Sequence, residues 1–124
     1  MLIDDDNDDN FFHEMAIMKN DFAGTVIVQD SGIKALEYIR SKTLPCSNLI
    51  FLDINMPRMS GWDFLIEYNK LSDELQKKPI IIMLSTSFNR DDITKAKESS
   101  LVSDYITKPL TKELVETIIE KYFN

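Results

Sequence analysis

The chain has 124 residues, 44% of them hydrophobic and 28% charged, which suits one globular domain and is neither disordered nor membrane-like in composition. Fourteen basic against 21 acidic residues give a net charge of −7, the wrong sign for binding a nucleic-acid backbone directly. One cysteine, Cys46, excludes an internal disulfide, and one histidine, His13, excludes any site built on two imidazoles.

The first predicted strand is Met1–Ile3, short for its class, and it runs into the acidic stretch Asp4–Asp9. Phe11, Met15 and Met18 follow at helical spacing and predict a helix with that stripe inward and His13 at its solvent edge. His13-Glu14 resembles the start of a zincin helix, but Ile17 stands where the second histidine belongs. Thr25–Val28 predicts the second strand. Asp30 or Ser31 is the candidate cap of a second helix striped by Ile33, Leu36 and Ile39. Leu49–Leu52 is the third strand, followed by a helix carrying Phe64, Leu65 and Tyr68. The charged segment Leu71–Pro79 either extends that helix or forms an extra turn.

Ile80–Leu84, the longest aliphatic run, is the fourth strand and is far shorter than a membrane span. A fourth helix falls in Arg90–Ser100, and Tyr105–Thr107 is a weaker fifth strand. Thr111 caps the last helix, Thr111–Phe123, which carries Leu114, Ile118 and Tyr122. Strands alternating with helices, without hairpin signals, predict an α/β fold with a parallel sheet covered on both faces, in a single domain spanning 1–124. No signal peptide is visible, so a cytoplasmic protein with a reduced thiol is expected.

Ligands of parallel sheets gather beyond the C-terminal ends of the strands. Here strand one ends in Asp4-Asp5-Asp6, strand three in Asp53, strand four in Ser85-Thr86 and strand five in Lys108-Pro109. Each has a plain reading alone. An acidic run is usually solvated, Asp53 can start a turn before Pro57, Ser85 can bond local backbone, Lys108 can be a surface lysine and Tyr105 half-buried core. An EF-hand fails on its count, because from Asp4 the sixth residue is Asp9 rather than Gly and the twelfth is Met15 rather than Glu. With glycine only at 24, 32 and 61, no glycine-rich phosphate loop can be written either.

In their order and spacing, Leu2-Ile3-Asp4-Asp5-Asp6, Leu52-Asp53-Ile54-Asn55-Met56-Pro57 with Gly61, Met83-Leu84-Ser85 and Tyr105-Ile106-Thr107-Lys108-Pro109 resemble the response-regulator receiver family of two-component signalling, over nearly the whole chain. The resemblance implies a flavodoxin-like, doubly wound sheet of five parallel strands in the order 2-1-3-4-5 with five helices. Strands one and three are then neighbours, and Asp4 and Asp5 meet Asp53 at the switch point.

It also implies the chemistry. Asp53 is the phosphoacceptor, taking a phosphoryl group from a phosphohistidine of a sensor kinase or phosphotransfer protein. Mg2+, or Mn2+, binds Asp5, Asp53 and the backbone carbonyl of Asn55, with Asp4 acting mainly through water. Without the cation the clustered carboxylates raise one another's pKa. Lys108, cis to Pro109, pairs with a phosphoryl oxygen. Ser85 donates its hydroxyl to the phosphoryl group, and Tyr105 changes rotamer as the switch.

Ser85 stands where the family more often has Thr, losing the methyl that restricts the rotamer. Asn55 and Ser87 occupy positions that in the family tune the lifetime of the acyl phosphate. With no output module after the last helix, output by contact with a downstream protein is expected, from a monomer or weak homodimer without direct nucleic-acid or membrane binding. Such a chain is a signalling domain rather than an enzyme. Two alternatives stay open. A pseudo-receiver keeps the fold without phosphorylation. A Mg2+-dependent phosphatase with an aspartyl nucleophile normally has a second acid two residues on, where this chain has Asn55.

Overall fold

A computed structural model of the protein describes residues 1–20, 24–43, 45–86 and 89–123. Among them, five strands form one parallel sheet in the order β2-β1-β3-β4-β5: β1 (Leu2–Ile3), β2 (Val28–Gln29), β3 (Leu49–Asp53), β4 (Ile80–Ser85) and β5 (Asp104–Thr107). Six helices connect them: α1 (Asn7–Met18), α2 (Gly32–Arg40), α3 (Gly61–Asn69), α4 (Asp73–Gln76), α5 (Arg90–Glu98) and α6 (Lys112–Phe123). The expected topology is present. The extra helix is α4, a single turn inside the charged segment Leu71–Pro79. No described helix is long and apolar enough to cross a membrane.

Side chains alternate across the sheet because a strand's period is two. Ile50 and Leu52 of β3 and Ile81 and Met83 of β4 point to one face, where Ala35 and Leu36 of α2 and Phe64, Leu65 and Tyr68 of α3 cover them. Phe51, Ile82 and Leu84 point to the other, against Ile17 of α1 and Val115, Ile118 and Ile119 of α6. Burying each of the Leu, Ile, Val, Met and Phe side chains among them stabilises the fold by about 1.5–3 kcal/mol. With both faces covered, the central strands need no polar alternation, which is why they read as unbroken apolar runs.

β1 is as short as its sequence suggests, yet it is paired on both sides, Leu2 with Val28 and Phe51 and Ile3 with Gln29 and Leu52. β2 lies later than Thr25–Val28. Two residues of β1 support only two of β2, so Val28 and Gln29 pair while the residues before them run in as loop.

Helix α1 departs from its predicted orientation. Its buried residues are Asn10, His13, Ala16 and Ile17, whereas Phe11, Phe12, Met15 and Met18 are exposed. His13 is therefore interior, 2% exposed, and not at the solvent edge. The cause is the cap. The Asp6 carboxylate accepts from the amides of Asp8 and Asp9, and the Asn10 side chain donates 2.8 Å to the carbonyl of Asp4. These bonds set the phase of the helix and turn its polar stripe inward.

The other helices keep closer to their patterns. Ser31, not Asp30, caps α2 by accepting from the Lys34 amide, and Ile33 is exposed while Leu36 is buried. Ser60 and Asp63 form a reciprocal capping box on α3. The Thr111 hydroxyl accepts from the Leu114 amide at the start of α6.

Candidate functional site

Four strand ends bring their terminal residues to one rim. Asp4 follows β1, Asp53 ends β3, Ser85 ends β4, and Lys108 follows β5. All four are withdrawn from water: Asp4 and Asp53 are 2% and 4% exposed, Ser85 is fully buried, and the Lys108 side chain is 8% exposed. Register does the positioning. Asp53 lies opposite Leu84 and Ser85 opposite Thr107, while the Lys108 amide donates 2.7 Å to the Ser85 carbonyl. The Lys108-Pro109 peptide is cis, as the resemblance implied.

Carboxylate oxygens of Asp4, Asp5 and Asp53 all lie within 4.8 Å of one another. The Lys108 ammonium donates to Asp4 at 2.7 Å and to Asp9 at 2.8 Å, and sits 3.1 Å from Asp53 Oδ1. The other Asp4 oxygen, Oδ1, accepts from the amide of Asp6 at 2.9 Å.

The acidic run thus divides its work. Asp4 bridges the rim and Lys108, Asp5 reaches the carboxylate group from an exposed position, Asp6 caps α1, and Asp9 holds Lys108. Asp9 is the site residue that sequence reasoning missed, since in a run of acids nothing separates it from Asp8. Its available signal was helical phase: Asp6, Asp9, Asn10 and His13 form a polar stripe continued by Ile17.

The electrostatics follow from burial. Loss of water pushes the Asp53 carboxyl up to about 6, helped by the charge of Asp4 and opposed by Lys108. Burial alone would lower the Lys108 ammonium, but its hydrogen bonds to Asp4 and Asp9 and the nearby carboxylates raise it above the ordinary lysine range. His13 is lowered by burial and then by Lys108, against Asp9 and Asp4, so it is neutral at pH 7. Its Nδ1 and the Oδ1 of Asn10 are buried without a hydrogen-bond partner among the described residues.

The donor set fits a small hard cation. Three carboxylates and no thiol or imidazole favour Mg2+ or Mn2+ over zinc. Asn55 is exposed in the loop after β3, two residues beyond Asp53. That loop is braced against the strand end: the Gly61 amide donates 2.9 Å to the Ile54 carbonyl, and a Cβ at Gly61 would lie 2.6 Å from the Asp53 carbonyl oxygen. Only glycine fits there, which accounts for Gly61 in the motif. Tyr105 is half-buried at the edge of the α2–α3 core and lines a surface groove with Ile93, Ala96 and Val102. Ser87 lies outside the described residues.

The sequence matches the family model of the response regulator receiver domain over residues 1–120. It is 35% identical over 96 residues to response regulator Rcp1 of Synechocystis sp., an alignment covering 77% of this chain and 58% of that protein. The structure superposes on a two component response regulator from Cytophaga hutchinsonii with a TM-score of 0.90 at 29% identity, covering 99% of this chain and 94% of that one. The Mn2+-bound form of response regulator Rcp1 superposes with a TM-score of 0.77 at 26% identity, covering 98% and 91%.

Proposed function

The chain belongs to the response regulator receiver domain family, and from that premise we propose that it is a phospho-accepting switch in which Asp53 receives a phosphoryl group from the phosphohistidine of a sensor kinase or phosphotransfer protein. Receiver domains of this family are signalling modules rather than classical enzymes. One observation carries the assignment: Asp4, Asp5 and Asp53 bring carboxylate oxygens within 4.8 Å of one another, with the Lys108 ammonium 3.1 Å from Asp53.

In the transfer, a carboxylate oxygen of Asp53 forms a bond to phosphorus. The bond from phosphorus to the donor's imidazole nitrogen breaks and leaves its electron pair on that nitrogen. Both partners are anionic, so the approach needs positive charge. Lys108 supplies one fixed positive charge, held in place by its carboxylate partners and kept protonated by them. A divalent cation, when bound, would supply the rest of the positive charge as a Lewis acid. Asp5, Asp53 and the carbonyl of Asn55 are the proposed direct ligands, with Asp4 acting mainly through water.

The Ser85 hydroxyl is the proposed donor to the transferred phosphoryl group. Tyr105, beside the groove between α5 and β5, is the proposed reporter to a downstream protein. Ser85 sits on β4, which pairs with the strand of Asp53, and Tyr105 sits on β5, which pairs with β4, so a new charge at the rim would reach Tyr105 by way of β4.

Intact-mass analysis tests the assignment. Incubation with acetyl phosphate and Mg2+ is expected to add one phosphoryl group. The gain disappears with EDTA and in Asp53→Asn. Unchanged labelling of that variant would sink the assignment.

A further inference from the structure

Lys108 has three ammonium hydrogens, and three carboxylates surround it. Two of them, Asp4 and Asp53, also belong to the group of oxygens suited to a cation, and the third does not: that group is Asp4, Asp5 and Asp53, without Asp9. Asp4 and Asp53 are therefore shared between the ammonium and the site's chemistry, whereas Asp9 serves Lys108 alone. We propose that Asp9 is a positioning residue for phosphoryl transfer, tethering the Lys108 ammonium at the rim while Asp4 and Asp53 are engaged elsewhere. The proposal rests on the reading of Asp53 as acceptor and deepens it.

Lysine carries a point charge on a flexible four-carbon stem, so its backbone position alone does not place the charge. A second anchor must come from a rigid element. Asp9 stands in the first turn of α1, its own amide bonded 3.1 Å to the Asp6 cap and the next residue, Asn10, bonded to the Asp4 carbonyl. The helix start is thereby pinned to the end of β1, and the Asp9 carboxylate is pinned with it. The contact is a 2.8 Å charge-assisted hydrogen bond to an ammonium nearly removed from solvent, a class roughly twice as strong as a neutral pair. Asp9 is one-third exposed, so a change there does not open the core.

Two readouts test the tether. The first is the rate of phosphorylation by acetyl phosphate at saturating Mg2+. Asp9→Asn keeps the size and loses the charge, and it slows the reaction about fivefold, while Asp9→Glu restores it to within about twofold. The second is the side-chain ammonium 15N–1H NMR signal of Lys108, which slow exchange makes visible when the group is buried and bonded. It persists in the wild type with and without Mg2+; in Asp9→Asn it persists in EDTA and is lost when Mg2+ is added.

A signal in Asp9→Asn that survives Mg2+, or phosphorylation of that variant at the wild-type rate, overturns the tether. If the wild type takes up no phosphoryl group, the reading of Asp53 falls, and the NMR measurement alone then decides whether Asp9 holds Lys108. Far-UV circular dichroism of each variant excludes a folding defect as the cause.

Discussion

The two ends of the sheet solve opposite problems with the same strands. At the N-terminal end, a cavity of about 160 Å3 is walled by Ile39, Ile50, Tyr68 and Leu75. Its polar groups are settled locally: the Tyr38 hydroxyl donates to the Pro45 carbonyl and the Tyr68 hydroxyl to that of Gln76. The side-chain charges there stay outside, as in the exposed Lys42–Glu74 pair, and the Met1 amino group, its pKa lowered to about 5 by burial, donates 2.7 Å to the Leu49 carbonyl. At the C-terminal end, Asp4, Asp53 and Lys108 carry their charges into the interior. Desolvating ions costs several kcal/mol apiece and is recovered only with close partners, so that end is the less stable design. What the fold gains there is a carboxylate, the proposed acceptor Asp53, already gathered with its counter-charge. One end is optimised for packing and the other for chemistry.

Removing the central cation breaks the contrast most severely. Lys108→Met leaves Asp4 and Asp53 buried without their partner and is expected to cost about 3–5 kcal/mol in urea unfolding with EDTA present, part of it recovered by Mg2+. At the other end, Lys42→Met removes an exposed pair and changes stability by no more than about 1 kcal/mol.

Gly61→Ala is next. Its Cβ would stand 2.6 Å from the Asp53 carbonyl oxygen and 3.0 Å from the Ile54 Cα, and relief by backbone movement costs about 1–3 kcal/mol. Gly24→Ala meets nothing within 4 Å and serves as its control.

Asp53→Asn goes the other way and stabilises the metal-free protein at neutral pH. Each unit of pKa displacement is worth about 1.4 kcal/mol, and with Lys108 shared among three carboxylates the expected gain is about 2 kcal/mol. The sign follows from proton binding. Folded Asp53 titrates near 6 against an ordinary 3.8, so between those values the native state holds the extra proton. Wild-type stability from this group therefore falls as pH rises from about 4 to 6, and the variant lacks that fall. His13 has the opposite sign. Its folded pKa lies below the ordinary 6.5, so the unfolded state takes the proton first and stability drops as pH falls below 6.5. Urea unfolding of both proteins across pH 4–8 in EDTA separates the two.

The smallest expected effect lies at the packed end. Tyr68→Phe loses one hydrogen bond, that to Gln76, and costs about 1 kcal/mol in the same assay.

The rim was readable in the sequence because strand ends are readable. Apolar runs stop where Asp4, Asp53 and Ser85 begin, Lys108 follows the weaker predicted strand Tyr105–Thr107, and parallel topology leaves those ends on one side. Helix α1 was not readable from its apolar residues. Hydrophobic periodicity assumes that the apolar stripe turns inward, whereas here the Asp6 cap and the Asn10 bond to Asp4 set the phase and leave Phe11, Phe12, Met15 and Met18 outside. The inward residues that replaced them, Asn10 and His13, are polar and belong to the rim's surroundings rather than to the core. β2 was misplaced for a related reason: its extent is fixed by the two residues of β1 that it pairs with, a tertiary constraint absent from Thr25–Val28 itself.

The acceptor can be identified directly. After incubation with acetyl phosphate and Mg2+, borohydride reduction converts an aspartyl phosphate to homoserine, which peptide mass mapping locates. The modified residue is predicted to be Asp53, with Asp4, Asp5, Asp6, Asp8 and Asp9 untouched. Modification within Asp4–Asp9 in place of Asp53 would contradict the account.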